Sequence, residues 1–277
     1  MTHCRFHLLL LLALFMYVGV GHASERDRQL DELMALSGLN EQVAQIPESL
    51  KAGFIQAQQQ GTPIPEATFQ AMMRSTERSI VAEDILAEIQ TSLASKLSDA
   101  DIQTLLTWYQ SDLGREIAEA ERRAAQPSAY GDMMRQAKTL YGDSRRVKFA
   151  EKMDKLFGAT DMVMELQKFT GVAVFSAMTM GTQPGAAMDL SVFEERIATE
   201  IEASRPAVEQ GIVLSYLYSY RNLDMAKLET YAQFLREPEA RRFNTTILES
   251  MNRALQNGIS DLARDMARLM GGNLQQS

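Results

Sequence analysis

Histidine and cysteine are almost missing from this 277-residue chain: His3, His7, His22 and Cys4 are the whole supply, and all four precede Ser24. Past that point the side chains needed for a Ser-His-Asp triad, a Cys-His pair, a histidine-bound zinc, a histidine-ligated haem or a thiol redox motif do not exist. No P-loop, no G-x-G-x-x-G and no Ser-x-x-Lys occurs, which removes the common phosphate-binding and serine-lysine signatures. Catalysis would have to rest on carboxylate, lysine or tyrosine. Proline is scarce, with seven in the chain, and no alternating apolar run with hairpin turn signals appears, so nothing calls for strands. Basic charge is also short, 28 Lys and Arg against 36 Asp and Glu, which leaves no generic attraction to nucleic acid or to an anionic membrane.

The one long apolar run is at the start. Arg5 supplies a positive leader, Leu8 to Val20 an apolar core, and Gly21-His22-Ala23 a small-x-small cleavage site, so residues 1–23 read as a secretory signal peptide. Cys4 lies ahead of the apolar core, which argues against a lipoprotein anchor. The core is about 13 residues, short of the ~20 that span a bilayer. We therefore expect a periplasmic or secreted protein that begins near Ser24 and has no transmembrane segment after cleavage. Cleavage removes one basic and no acidic residue, taking the net charge from −8 to −9.

What is present is helical periodicity, and the fold class expected is all-α, a multi-helix bundle. The clearest stretch is LSDADIQTLLTWYQSDLGREIAE, from Leu97 to Glu119. Ser98 is placed as an N-cap with Asp101 three residues on to reach back, and acidic residues fill the first turn. Ile102, Leu105, Leu106 and Tyr109 then form one apolar stripe with Trp108 on its shoulder. Ser111 is a second cap, so the stretch reads as helix, sharp corner, helix. Gly114, early in the second helix, costs about 1 kcal/mol against Ala, which points to close approach of another backbone.

The same spacing returns 126 positions later without a gap: Leu223, Leu228, Tyr231, Phe234, Glu237, Ala240 and Arg241 stand where Leu97, Ile102, Leu105, Trp108, Ser111, Gly114 and Arg115 stood. Pro238 takes the place of Asp112 at a first helical position, which suits a residue lacking an N–H. An earlier corner, Gly38 with Asn40 as the expected cap, repeats at Gly158 and Thr160. Two divergent helical repeats follow, residues 24–143 and 144–277, with Tyr141 to Ser144 as the boundary. Trp108-Tyr109-x-Ser111-x-x-Gly114-Arg115, after Leu97-Ser98-x-x-Asp101-Ile102, resembles the aromatic-Tyr-x-Ser-Pro-x-Gly-Lys/Arg signature of the bacterial family catalogued as domain of unknown function 2059. The resemblance implies a small, secreted, all-helical protein and no catalytic residue. The first copy departs in having Asp112 for the proline, and the second keeps Pro238 but lacks the serine and glycine.

The rest of the chain reads as helices: 26–36, one from Asn40, 66–97 after a Gly61 to Pro65 loop, and 189–220, which Pro206 should kink or divide. A final stripe steps by three or four from Phe243 through Ile247, Met251, Leu255, Ile259, Leu262 and Met266 to Leu269, with Gly258 as a local break. That stripe suits internal packing and also a homodimer interface.

Three sets of residues are candidates for chemistry. Paired acids would serve sugar hydrolysis, and Glu249-Ser250 resembles the Glu-Ser pair of lytic transglycosylases, but the glycine-rich segment expected downstream is missing and a solvated helix face accounts for the pair better. Met162-x-Met164 and Met178-x-Met180 have thioether-ligand spacing, yet on a helix the two sulfurs of each pair face different ways, so core filling is the reading and no metal or cofactor is expected. Trp108, Tyr109, Ser111, Gly114, Arg115, Phe234 and Arg241 make the best recognition patch, since aromatics and arginine anchor interfaces. The expected function is non-catalytic: a binding or interaction module for a protein partner or apolar ligand, with a periplasmic carrier of a lipid or other apolar molecule as the nearest variant and a carboxylate-dependent cell-wall hydrolase as the rival.

Overall fold

A computed structural model describes residues 25–60, 66–126, 128–182 and 190–273; the leader and the Gly61 to Pro65 loop lie outside the described residues. Among the described residues there are thirteen helices and no strand, which bears out the all-α expectation. They are α1 (Glu25–Leu36), α2 (Leu39–Ala44), α3 (Ile46–Gln60), α4 (Glu66–Ser79), α5 (Ala82–Lys96), α6 (Asp99–Gln110), α7 (Asp112–Ala124), α8 (Ala129–Leu140), α9 (Ser144–Phe157), α10 (Ala159–Thr182), α11 (Leu190–Ser219), α12 (Met225–Phe234) and α13 (Pro238–Asn273). Among the described residues no helix is long and apolar enough to cross a membrane.

The caps explain most of the boundaries. Ser98 and Asp101 form the expected capping box at α6, worth about 1 kcal/mol. Asp143 caps α9 by accepting from the Arg145 and Arg146 N–H groups, and Asp224 caps α12 by accepting from the Lys227 N–H. Gly38 and Gly158 both take left-handed backbone, with φ of 75° and 62°, where a Cβ would be strained. Four expectations need correction. The helix after Gly38 begins at Leu39, with no side-chain cap, so Asn40 is inside it. The single helix expected over 66–97 breaks at Ile80-Val81, where Val81 is extended (φ −102°, ψ 122°) and Ile80 is pulled into the core; two β-branched residues hold a helix poorly. Pro206 does not divide α11. Pro206 and Glu202 are both exposed, so the carbonyl that loses its N–H partner lies on the solvent side, where a helix tolerates bending. Nor does Gly258 break α13: it lets α13 pass the end of α4, since a Cβ there would sit 2.5 Å from the Ser79 carbonyl oxygen.

One hydrophobic cluster joins both parts of the chain. Leu30, Leu33, Ile89, Leu93, Ile102 and Leu105 are fully buried in it together with Tyr220, Leu228 and Phe243. The α13 stripe is internal packing: Phe243, Leu255, Ile259 and Leu262 are buried and α13 lies on α4, α5 and α10. The side chains of Met266 and Leu269 lie outside the described residues. In the other direction, α11 lies on α7 and α8 as well as on α9 and α10. Two arginines tie helix ends in matching fashion. Arg26 Nη2 donates to the carbonyls of Ala94 (3.0 Å) and Leu97 (2.5 Å). Arg146 donates to those of Tyr220 (2.9 Å) and Leu223 (2.6 Å). Each donates to two backbone carbonyls at the connection between consecutive helices, α5 to α6 for Arg26 and α11 to α12 for Arg146.

Candidate functional site

The corner between α6 and α7 is built by Ser111, whose Oγ donates to the Trp108 carbonyl (2.6 Å) and accepts from the Gly114 N–H (3.0 Å). Gly114 is then pressed against the helix it has just left: a Cβ would stand 2.1 Å from the Trp108 carbonyl oxygen and 2.9 Å from Tyr109 Cα. The neighbouring backbone anticipated from the glycine is therefore that of α6 itself. The corner aims Trp108 at the second half, where it stacks on Phe234 with ring centroids 4.1 Å apart and planes 7° from parallel. Such pairs add about 0.5–1.5 kcal/mol beyond the area they bury. Tyr109 meets Phe234 and Phe243 edge-on at 6.1 Å. Trp108 Nε1 is buried without a hydrogen-bond partner among the described residues.

The seven residues expected to form a recognition patch thus divide into two groups. Trp108, Tyr109, Ser111, Gly114 and Phe234 come together as a packed seam. Arg115 and Arg241 are exposed, and Arg115 pairs with Asp112 at 2.8 Å, so neither belongs to it. Glu249 is exposed, while Ser250 is buried and donates to the Thr246 carbonyl (2.6 Å). Met164 is buried in the interior while Met162 borders a cleft, so the two sulfurs face apart as helical geometry requires. The side chains of Met178 and Met180, and most of the apolar run from Phe169, lie outside the described residues. Among the described residues no group of three or more His, Cys, Asp or Glu is placed to hold a metal ion.

Beside the seam, between the two halves, is a cleft of about 440 Å³. Val43 and Ile46 come from the first half and Tyr216, Phe243, Ile247 and Met251 from the second. Its volume and mainly apolar walls are those of a small-molecule site. Glu121, from α7, is the one charged residue among those lining it, and no Lys, Arg or His is among them. The Glu121 carboxylate accepts from two tyrosines, both at Oε1: Tyr220 OH at 2.5 Å and Tyr231 OH at 3.0 Å. Burial pushes its carboxyl up from the ordinary range, opposed by those two hydrogen bonds, and no basic side chain acts on it. Desolvation, and then the negative charge of Glu121, also raises the phenols of Tyr109, Tyr216, Tyr220 and Tyr231, all of which stay neutral. A larger cleft, about 590 Å³, borders α9, α10 and α11 and is polar. Its lining mixes acids with bases, among them Arg205 paired with Asp161 at 2.7 Å and Asp154 accepting from the Thr160 N–H and hydroxyl at 2.9 and 2.8 Å, whereas the smaller cleft sets a single carboxylate among apolar walls.

Glu121 was missed by the sequence reading. The signal was there: it falls four residues after Ile117 and one after Ala120, both buried, so a carboxylate occupied the apolar stripe of α7. Tyr220 and Tyr231 gave no comparable sign, because tyrosine is at home in any core.

No curated protein and no solved structure matches the chain significantly. Residues 83–141, which carry the Trp108 corner and Glu121 on α5 through α8, match the family described as an uncharacterized protein conserved in bacteria, DUF2059.

Proposed function

We propose that the protein is a non-catalytic binder that takes a small apolar ligand into the Glu121 cleft, in the manner of a carrier. The observation that carries this reading is the cleft itself, walled by apolar side chains from both halves. A protein-docking role has less support, because the large hydrophobic side chains exposed among the described residues are Ile55 on α3 and the pair Tyr130 and Met134 on α8, too few for a docking face. The leader read over residues 1–23 supports export to the periplasm, where a carrier of apolar molecules has work to do. The halves, in this reading, are divergent copies of one unit. Support comes from the paired left-handed glycines at 38 and 158 and the paired arginine contacts of Arg26 and Arg146. The way α13 covers α4 and α5 while α11 lies on α7 and α8 adds to it.

The test is titration with N-phenyl-1-naphthylamine, a neutral apolar fluorophore, on wild type and on Met162→Trp, which fills the cleft. Saturable binding with micromolar affinity, lost in the variant, is expected. Binding that survives Met162→Trp, or no binding at all, would overturn the assignment.

A further inference from the structure

Resting on the cleft as a ligand site, we propose that its ligand is an organic monocation, an apolar body bearing a single ammonium group that sits against Glu121 among the tyrosine rings. Three observations carry this. First, Glu121 is the one charged residue lining the cleft, and its side chain is partly exposed to that space. A carboxylate set in apolar walls without a cation is costly, and a bound ammonium would supply what the protein does not. Second, both tyrosine hydroxyls donate to Oε1, so neither of these bonds uses Oε2, which remains to accept from a ligand N–H. Third, the cleft beside the carboxylate is lined by aromatic rings in two orientations. Tyr216 and Tyr220 lie parallel within 7°, with centroids 6.1 Å apart, and Tyr231 stands at 73° to Tyr220. Phe157 extends the set, 6.2 Å from Tyr216 and 20° from its plane. Aromatic faces arranged around a point are what attract an ammonium by the cation–π effect.

Alternative ligands fit less well. An alkyl carboxylate would bring a second negative charge beside Glu121 with no Lys, Arg or His in the lining to receive it. A neutral alcohol would fill the apolar volume but leave the carboxylate uncompensated. Burial raises the carboxyl of Glu121; an adjacent cation favours the ionised form and opposes that trend.

The experiment is calorimetric titration of the full-length protein, near neutral pH and below micelle concentrations, with decylamine, decanol and decanoate. The expected order is decylamine tightest by at least tenfold over decanol, with decanoate weakest. In Glu121→Gln the amine preference should be lost, decylamine falling to the decanol value measured on the same variant. Equal affinity of wild type for amine and alcohol, a preference for decanoate, or an amine preference that persists in Glu121→Gln would overturn the proposal. If Glu121→Gln does not fold, the wild-type ranking decides alone. Decanol bound without an amine preference would sink the cation while leaving the apolar site standing; no binding of any probe would sink both.

Discussion

Gly114→Ala sets two effects of opposite sign against each other. On helix propensity alone the change should stabilise α7 by about 1 kcal/mol. The structure says otherwise. The added methyl would lie 2.1 Å from the Trp108 carbonyl oxygen, more than about 1 Å inside contact distance. The obstacle is backbone, which cannot swing aside as a flexible side chain would. Overpacking of this kind costs about 1–3 kcal/mol, and with both partners backbone the upper end applies. Subtracting the propensity gain leaves a net loss of about 2 kcal/mol, or about 4–8 °C in Tm for a chain of this size. The strain falls on the corner that aims Trp108 at Phe234, so the near-ultraviolet dichroism of Trp108, the one tryptophan in the chain, should weaken as well. Urea and thermal unfolding followed by fluorescence and far-ultraviolet dichroism measure both. A variant as stable as wild type, or more stable, would refute the steric argument and leave propensity in charge.

Other expectations follow from the same geometry. Arg26→Ala and Arg146→Ala should each cost about 1–2 kcal/mol, as charge-assisted bonds to two carbonyls are lost; unfolding free energies from urea titration that differ by more than about 1 kcal/mol between the two would count against their equivalence. Trp108→Phe keeps a ring on Phe234 and removes the buried, unpartnered Nε1, so it should change stability by less than about 1 kcal/mol, read by thermal melts. Asp101 is held down to about 2, chiefly by the hydrogen bond from Arg242. Its folded value lies below the ordinary 3.8, so the contribution is present above that pH and is lost as pH falls toward 2. With Arg242 half exposed, screening leaves about 1 kcal/mol of it. Arg242→Ala should therefore lose that much at pH 6 and match wild type at the acid end. For Glu121 the sign is reversed. Its folded value is raised, so ionising it costs stability once pH rises past the unfolded value. Glu121→Gln should thus be more stable than wild type at neutral pH, and the gap should close toward pH 4; a variant less stable at pH 7 would contradict the assignment.

Much of the fold was legible because it is written in local chemistry. The capping box of Ser98 and Asp101, the second cap at Ser111 and the crowding at Gly114 all depend on residues within a few positions of one another. The meeting of Trp108 with Phe234 could be anticipated for another reason, since the two hold matching places in a repeated spacing. What failed to show was decided by distant parts of the chain. The β-branched pair Ile80-Val81 weakens the helix locally, but the crossing of α13 at Gly258, where the break falls, lies far along the chain. Pro206 reads as a breaker until its exposure on the solvent side of α11 is known. The cleft is assembled from helices more than a hundred residues apart, and Glu121 looked like one more surface acid on a helix rich in them. Exclusion served better than motif: with no imidazole or thiol past Ser24, carboxylates and phenols are among the reactive groups left, and those are the groups the cleft contains.

The most direct measurement is a structure of the protein in complex with N-phenyl-1-naphthylamine. The account predicts the naphthyl group between the two halves, against Tyr216 and Met251, with the Trp108 and Phe234 stack undisturbed. A fluorophore bound elsewhere on the surface, with the Glu121 cleft closed or filled by side chains, would contradict it.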